Sequence, residues 1–406
     1  MVYLRLDSLP SLFTFITLLG PESNSATTRL EGISEDGSGS AGANDKAKKK
    51  KPLEVHGLRL IELTDRTSSV MQVTEGEAYS LRDPVVNAFR AFAQLHDVAV
   101  SGRAAVVPDD SYAEALMHHA SEVSSDFALI PWSEYGSMGE DHSVPLASGA
   151  NDRFTGYAHL EFVQKTLDKA VKTCNAGVFI DNGFGGIVKP TEQLMPHLSR
   201  TQSGMSLRSH RELATLPVAN KSHHIFFPFF GGADDRAALR IVLQLAKNPN
   251  VTASVFHINW SSGDGQEDEN ADQSKAAAPP VKEADTELTA KDITLLSAAK
   301  SSLTKEATKR ITFSELSLVP GTVISETLGL AQRTVGQTPN NAGDIIVLGR
   351  RPSRLASSAA SESGGGSTYA NLEFEKVVGT IAEQMITKGV KSSVLVVQAG
   401  GKGLEM

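Results

Sequence analysis

The feature that most constrains the fold is a strand–turn–helix–strand pattern in residues 223–260. The apolar run 225–230 ends at Gly231 and Gly232. Two aspartates follow, where acidic residues complement a helix N-terminus. Apolar residues then recur at helical spacing up to an Asn-Pro pair, and a second apolar run covers 251–258. Because a helical crossover joins parallel strands, this pattern predicts an α/β sheet with helices on its faces.

The same alternation of strand and helix occurs twice along the chain. The first copy has predicted strands at 58–63, 98–107, 126–132 and 176–180, and helices at 84–96, 112–123 and 157–171. The second has strands at 225–230, 251–258, 311–318, 344–350 and 393–398, and helices at 235–247, 293–310, 321–333 and 369–388. The fold class predicted is therefore α/β, with two doubly wound, mainly parallel-sheet lobes.

Stretches rich in Ser, Gly, Ala and charged residues separate these elements, and their low apolar content does not offset the entropy of ordering them. The predicted division has five parts. They are a juxtamembrane or linker segment at 1–21, a disordered linker at 22–52, a first lobe at 53–182, a connector at 183–221, and a second lobe at 222–401, which contains disordered insertions at 261–291 and 353–367.

Composition excludes several classes of function. The net charge of −8 argues against a nucleic-acid partner. The single cysteine, Cys174, excludes an internal disulfide and a cysteine-based zinc site. The longest apolar stretch, 9–20, is shorter than the ~20 residues that a membrane-spanning helix needs. It is consistent with a short packing or juxtamembrane segment, a docking surface for membrane helices, or a targeting signal.

Several phrases resemble one family when read in order. They are H-G-L-R-L-I-E-L-T-D-R-T-S-S-V-M-Q at 56–72, A-L-I-P-W-S-E-Y-G-S-M-G-E at 128–140, F-F-G-G-A-D-D-R-A-A-L at 229–239 and G-D-I-I-V-L-G-R-R at 343–351. Together they resemble the C-terminal cytosolic region of fungal potassium/proton antiporters, which belong to the monovalent cation:proton antiporter-2 family and are related to plant cation/H+ exchangers.

This resemblance implies a regulatory cytosolic domain that acts in antiport, potassium transport and pH homeostasis. The implied partners are the transmembrane antiporter domain of the parent protein, which holds the ion-binding carboxylates, and a second copy in a homodimer. The implied location is the cytosolic face of an intracellular membrane, of the Golgi, endosome or vacuole.

Both lobes also resemble universal stress protein domains, some of which bind ATP or AMP through a G-x2-G-x9-G-[ST] loop and a strand-end Asp. Gly136, Gly139 and Gly149 have this spacing, and Asp65 ends the first predicted strand of the same lobe. Glycines allow backbone N–H groups to approach a phosphate closely. Ala150 replaces the hydroxyl residue, and carboxylates flank the loop, so a flexible glycine-rich loop is the alternative interpretation.

In the second lobe Phe230 occupies the place of the strand-end Asp. Three roles are open for Arg350 and Arg351: they contact a phosphate, they contact an acidic surface of the partner lobe, or they are structural. The chain has two pairs of adjacent histidines, at 118–119 and 223–224. Either pair is a candidate pH sensor, because histidine titrates near neutrality.

Two functions from different classes follow. The first is a regulatory module of a potassium/proton antiporter. The second is a free-standing, tandem nucleotide-binding stress-protein-like module. The coding sequence upstream of Met1 distinguishes them, since about ten or more apolar segments of ~20 residues would indicate the antiporter. The chain has no nucleophile motif such as G-x-S-x-G, so we expect no enzymatic activity.

Overall fold

The strand–turn–helix–strand unit predicted around residues 223–260 is present, as β6 His223–Phe229, α5 Ala233–Leu245 and β7 Val251–Asn259. The computed structural model describes residues 1–20, 53–64, 80–96, 98–134, 136–138, 154–186, 220–259, 281–319, 321–338, 341–351 and 369–401.

The other strands agree with the predicted alternation, with one strand added at the start. They are β1 Val2–Leu4, β2 Glu54–Glu62, β3 Ala99–Val107, β4 Phe127–Pro131, β5 Asn175–Ile180, β8 Ile311–Ser317, β9 Ile345–Gly349 and β10 Ser393–Gln398. The other helices are α1 Leu9–Leu19, α2 Pro84–Leu95, α3 Tyr112–Glu122, α4 Tyr157–Thr173, α6 Val281–Ser302, α7 Lys305–Thr308, α8 Val323–Thr334, α9 Tyr369–Val378 and α10 Thr380–Thr387.

All ten of these strands form one sheet in the order β3-β2-β1-β4-β5-β10-β9-β6-β7-β8. The first five strands and the last five have the same internal order, and pairing within each half is parallel. The halves meet through an antiparallel pair, in which Val396 of β10 lies opposite Val178 of β5. The predicted fold class, a doubly wound and mainly parallel α/β sheet, is confirmed. The division into two lobes with the stated boundaries stays a prediction.

Two apolar cores cover the two faces of the sheet. One face packs against α3, α4, α8, α9 and α10. The other face packs against α1, α2, α5 and α6. All six residues of β10 are buried, and its central residues 394–397 are apolar because helices cover both of its sides.

The first strand corrects the expectation for residues 1–21. β1 pairs with both β2 and β4, with Val2 opposite Gly57 and Leu129, so it lies inside the first half of the sheet and not in a linker. The apolar stretch at 9–20 forms α1, which packs Phe13 against Phe92 at 4.2 Å between ring centroids. The predicted linker at 22–52 therefore falls between α1 and β2, and it lies outside the described residues.

Two further helices differ from the expectation. Residues 281–291, predicted as part of a disordered insertion, are the first half of α6, and a short second helix, α7, precedes β8. The helix predicted over 369–388 is interrupted at Gly379, whose φ is +87° and whose missing Cβ leaves room for the carbonyl of Arg350. The remaining insertion residues, 261–280 and 353–367, lie outside the described part of the chain.

Gly57 is where β1, β2 and α2 approach most closely. A Cβ at this position would lie 2.7 Å from Leu4 Cδ1 and 2.7 Å from Phe89 Cε1, and both side chains are fully buried. We expect Gly57→Val to destabilise the fold by about 1–3 kcal/mol through overpacking, measured by urea unfolding. Gly329→Ala is the matched control, because no atom lies within 4 Å of its added Cβ in α8. Equal effects of the two variants would contradict this account of the packing.

Candidate functional site

The strand order reverses once in each half of the sheet, between β1 and β4 and between β6 and β9. In open α/β sheets, ligands bind beyond the carboxyl ends of the strands at such reversal points. The candidate site therefore consists of the residues that follow these four strands.

The crevice between β1 and β4 contains a buried ion pair. Arg5 follows β1 and is 1% exposed. Its Nε donates to Asp7 Oδ1 at 3.1 Å, and its guanidinium also donates to Ser133 Oγ at 3.1 Å and to the carbonyl of Met138 at 3.2 Å. These bonds connect the segment after β1 to the loop after β4. A cation thus lies at the position where the sequence predicts a phosphate-binding loop.

A neutral histidine closes this crevice from α4. His159 is fully buried, and its Nε2 accepts a hydrogen bond from the backbone N–H of Ser133 at 3.2 Å. Burial, and after it the charge of Arg5, lower the pKa of His159 from 6.5 to about 3. The ring stands edge-on to Trp132, with 4.7 Å between centroids. His159 therefore acts as a fixed acceptor and does not titrate near neutrality.

The predicted nucleotide-binding residues are only partly placed. Asp65, Gly139 and Gly149 lie outside the described residues. Gly136 follows β4 with a φ of +68°, which favours glycine, and its carbonyl packs against Cα of Gly156. The nucleotide site stays a prediction.

We expect Ala150→Ser to strengthen any AMP or ATP binding by roughly 10- to 100-fold, because a hydroxyl bonded to a charged phosphate contributes about 1.5–3 kcal/mol. Gly139→Val should abolish the binding heat by blocking the approach of the backbone. Titration calorimetry with and without magnesium measures both. Absence of heat at millimolar nucleotide, in the unaltered chain and in Ala150→Ser, would refute the site.

The crevice between β6 and β9 is built around a buried carboxyl group. Asp235 at the start of α5 is fully buried, and its Oδ2 accepts hydrogen bonds from the backbone N–H groups of Phe230 at 2.7 Å and Gly231 at 2.9 Å. Its Oδ1 has no hydrogen-bond partner among the described residues and lies against Gly349. Burial, with smaller contributions from the charges of Asp234 and Asp292, raises the pKa of Asp235 to about 8.

The neighbouring carboxylates bind the backbone of three other segments. Asp234 accepts from the N–H of Arg351 at 3.0 Å and of Ala399 at 2.8 Å. Asp292 of α6 accepts from the N–H of Gly232 at 3.1 Å and pairs with Arg236 at 2.7 Å. Burial also raises the pKa of Asp234. Side-chain oxygens of the chain itself therefore occupy N–H groups that a phosphate would otherwise use.

The seam between the halves is organised by Arg350, which is 2% exposed. Its guanidinium donates to Gln164 Oε1 of α4 at 2.8 Å, to the carbonyl of Val377 at 2.7 Å and to the side chain of Gln398. Gln398 in turn donates to the carbonyl of Leu167 in α4 at 2.7 Å. Burial lowers the pKa of Arg350 to about 10, so it remains charged at neutral pH. Among the three roles considered for Arg350, the structure shows a contact between the halves, to an amide and not to an acid.

A cavity of about 980 Å³ lies beside this arginine. Helix α4 contributes Tyr157, Leu160 and Gln164 to its lining, and Arg350, Val377 and Ile381 come from the second half. Because both halves line it, the cavity lies at the contact between them.

The two histidine pairs occupy unlike environments. His119 lies near Glu122, with 3.3 Å between Nδ1 and Oε2, and burial lowers its pKa. His223 contacts the carbonyl of Gly343 at 2.7 Å, and His224 contacts Thr252 Oγ1 at 2.7 Å. Burial lowers the pKa of both. Among the described residues, no group of His, Cys, Asp and Glu side chains is arranged to hold a metal ion.

Sequence reasoning missed Arg5 and the role of Asp235. The sequence pattern places residues 1–21 outside the first lobe, because the three residues of β1 are too few to show a strand pattern. Asp235 was interpreted as complementing a helix N-terminus, and only its neighbours in the fold show that it is fully buried.

Comparison with known proteins adds the family context. Residues 55–184 match the sequence model of a plant cation/H(+) antiporter domain. This range includes β2 to β5 of the first half of the sheet. Cation/H(+) antiporter 19 of Arabidopsis thaliana is 25% identical over 217 residues, which are 51% of this chain and 22% of that protein. Cation/H(+) antiporter 20 of the same plant is 24% identical over 219 residues, 50% of this chain and 23% of that protein.

The similarity thus spans under a quarter of the length of the curated relatives. Among solved structures, the universal stress protein from Archaeoglobus fulgidus DSM 4304 aligns with a TM-score of 0.37 at 12% identity, covering 98% of this chain and 96% of that chain. In the part of the chain that the structure describes, no helix has the length and apolar character required to cross a membrane.

Proposed function

We propose that this chain is the cytosolic regulatory module of a membrane antiporter. The antiporter exchanges a monovalent cation, which we propose is potassium, for protons. The observation that supports this proposal is the match of residues 55–184 to a cation/H(+) antiporter domain. The ion-transporting membrane domain is assigned to another part of the parent protein. The module faces the cytosol at an intracellular membrane, of the Golgi, endosome or vacuole, and contributes to cation and pH homeostasis.

The module regulates transport through the packing of its two halves. Three features at the seam support this mechanism: the antiparallel pair of β5 and β10, the bond between Arg350 and Gln164, and the cavity beside them. A change in the seam alters the relative position of the halves. That change reaches the membrane domain through whichever half is attached to it.

The test uses the parent protein in sealed vesicles, where potassium addition dissipates a preset pH gradient. Gln164→Ala removes the acceptor from the first half while leaving the other partners of Arg350 in place. We expect this variant to change the rate of proton exchange several-fold at equal protein level. Gln332→Ala, at an exposed position on α8, is the control and should exchange at the unaltered rate.

Two results would refute the antiporter assignment. The first is a parent gene that encodes no membrane-spanning segments, and the second is a parent protein without cation-dependent proton exchange. Equal rates for Gln164→Ala and the unaltered protein would refute the seam mechanism and leave the assignment in place.

Regulation without catalysis is a separate part of the proposal. We expect the purified chain to release phosphate from ATP no faster than the buffer, because three aspartate side chains occupy the second crevice and a buried ion pair occupies the first. A phosphate-release assay measures this rate. Turnover above background that Asp65→Ala abolishes would replace the regulatory interpretation with an enzymatic one.

A further inference from the structure

The strand β8 forms one end of the ten-stranded sheet. On its inner side Ala253 N donates to the carbonyl of Arg310 at 2.9 Å, and Leu318 N donates to the carbonyl of Asn259 at 2.8 Å. Because backbone direction alternates along a strand, even-numbered residues of β8 bond to β7. The backbone groups of Phe313 and Glu315 therefore point outward. These outward groups have no hydrogen-bond partner among the described residues.

The opposite edge of the sheet, β3, is closed by side chains. Ser80 Oγ accepts from the N–H of Ala104 at 3.1 Å and donates to its carbonyl at 3.3 Å. Arg90 donates to the carbonyl of Gly102 at 2.8 Å. Natural proteins block edge strands in such ways because a free edge pairs with other strands. The contrast identifies β8 as the edge that is open to another strand.

The charges around β8 favour a particular partner. Lys309 is exposed just before the strand, and the Glu315 side chain, near its end, is 68% exposed and 3.7 Å from Lys300. Arg310 is engaged by the carbonyls of Ala246 and Val251. In an antiparallel pair of two β8 strands, Lys309 of one copy lies opposite Glu315 of the other. A parallel pair would place like charges side by side.

We propose that β8 is the contact strand of a symmetric dimer of this chain, in which two copies of β8 pair antiparallel about Thr312. In this register the outward groups of residues 311 and 313 face each other, and the N–H of Glu315 meets the carbonyl of Lys309, whose own N–H bonds to Glu306 in the same copy. The contact uses the same surface on both copies, which is the rule for two-fold dimers. The inference gives a surface to the dimer implied above, and its test does not involve transport.

Sedimentation velocity of the purified chain should show a species of twice the chain mass of 43.2 kDa. Glu315→Pro removes an outward N–H but no bond to β7, and proline is tolerated on edge strands. We expect this variant to weaken the dimer by at least tenfold. Val106→Pro, at an outward position of the closed edge β3, is the matched control and should leave the dimer intact.

Two further experiments distinguish loss of the dimer from misfolding. Glu315→Lys should weaken the dimer, and the double variant Lys309→Glu/Glu315→Lys should restore it. Thr312→Cys should crosslink two copies under a mild thiol oxidant, whereas Thr252→Cys on the interior strand β7 should not. A monomer at all concentrations, or a dimer that Glu315→Pro and Glu315→Lys both leave unchanged, would overturn the proposal.

Discussion

Arg350→Ala is expected to lower the free energy of unfolding by roughly 3 kcal/mol or more. The substitution leaves the carbonyl of Val377 and the side chain of Gln398 buried without their donor, and it breaks the bond to Gln164 in the first half of the sheet. Each buried polar group left unpaired costs about 1–3 kcal/mol, and the effect is large because several lose their partner together. Urea unfolding monitored by circular dichroism gives this free energy.

Arg351→Ala is the matched control for this experiment. Arg351 is exposed, and it is its backbone N–H, which the substitution retains, that bonds to Asp234. We expect a change within about 0.5 kcal/mol for this variant. If the two arginine variants lost the same stability, Arg350 would not organise the seam.

The second large effect is a pH dependence of stability that arises from Asp235. Its pKa is raised from the ordinary value of 3.8 to about 8 in the folded chain, mainly by burial. Between these values the folded chain retains a proton that the unfolded chain releases. The free energy of unfolding contributed by Asp235 therefore falls as pH rises from about 4 to about 8, and the loss is complete above the folded pKa.

Buried histidines produce the opposite slope at lower pH. The pKa of His159 is lowered from 6.5 to about 3, so its contribution is present above pH 6.5 and is lost as pH falls toward 3. A variant of Asp235 is therefore needed to isolate the contribution of the carboxyl group.

Asp235→Asn removes the titration and retains an oxygen that can accept from Phe230 and Gly231. We expect its stability relative to the unaltered chain to improve by a few kcal/mol between pH 5 and pH 9, since each unit of pKa shift corresponds to about 1.4 kcal/mol. Urea unfolding at pH 5, 7 and 9 measures the difference. Asp109→Asn, at an exposed turn, should show no such trend, and parallel pH profiles for both variants would contradict the burial argument.

The alternation of strands and helices could be predicted because each element carries its own signal. β6 and β7 contain apolar runs, and between them apolar residues recur at helical spacing. These patterns indicate strand and helix without information from the rest of the chain. The start of α2 was predictable for the same reason, since Asp83 caps it with a hydrogen bond to the N–H of Val86 at 2.8 Å and Pro84 follows.

The elements that were missed lack such local signals. β1 has only three residues, too few to show alternation, and α1, which follows it, has Pro10 in its first turn, where proline is favoured. The first half of α6 is rich in charged residues and is continuous with a buried part that contains Leu296 and Ala299. Its polar composition therefore indicated a loop, while its helical state depends on the packing of the turns that follow.

The sequence by itself determined the α/β class, the order of most elements and the glycines at the ends of β4 and β6, because these depend on residues close together in the chain. Only the tertiary structure decided that β5 and β10 pair antiparallel, that Arg5 occupies the first crevice, that Arg350 joins the two halves, and that Asp235 is buried with a raised pKa. Gln164 lies 186 positions from Arg350 in the chain, so their contact leaves no local pattern. Burial and charge are properties of neighbours in space, and folding alone sets which neighbours a side chain has.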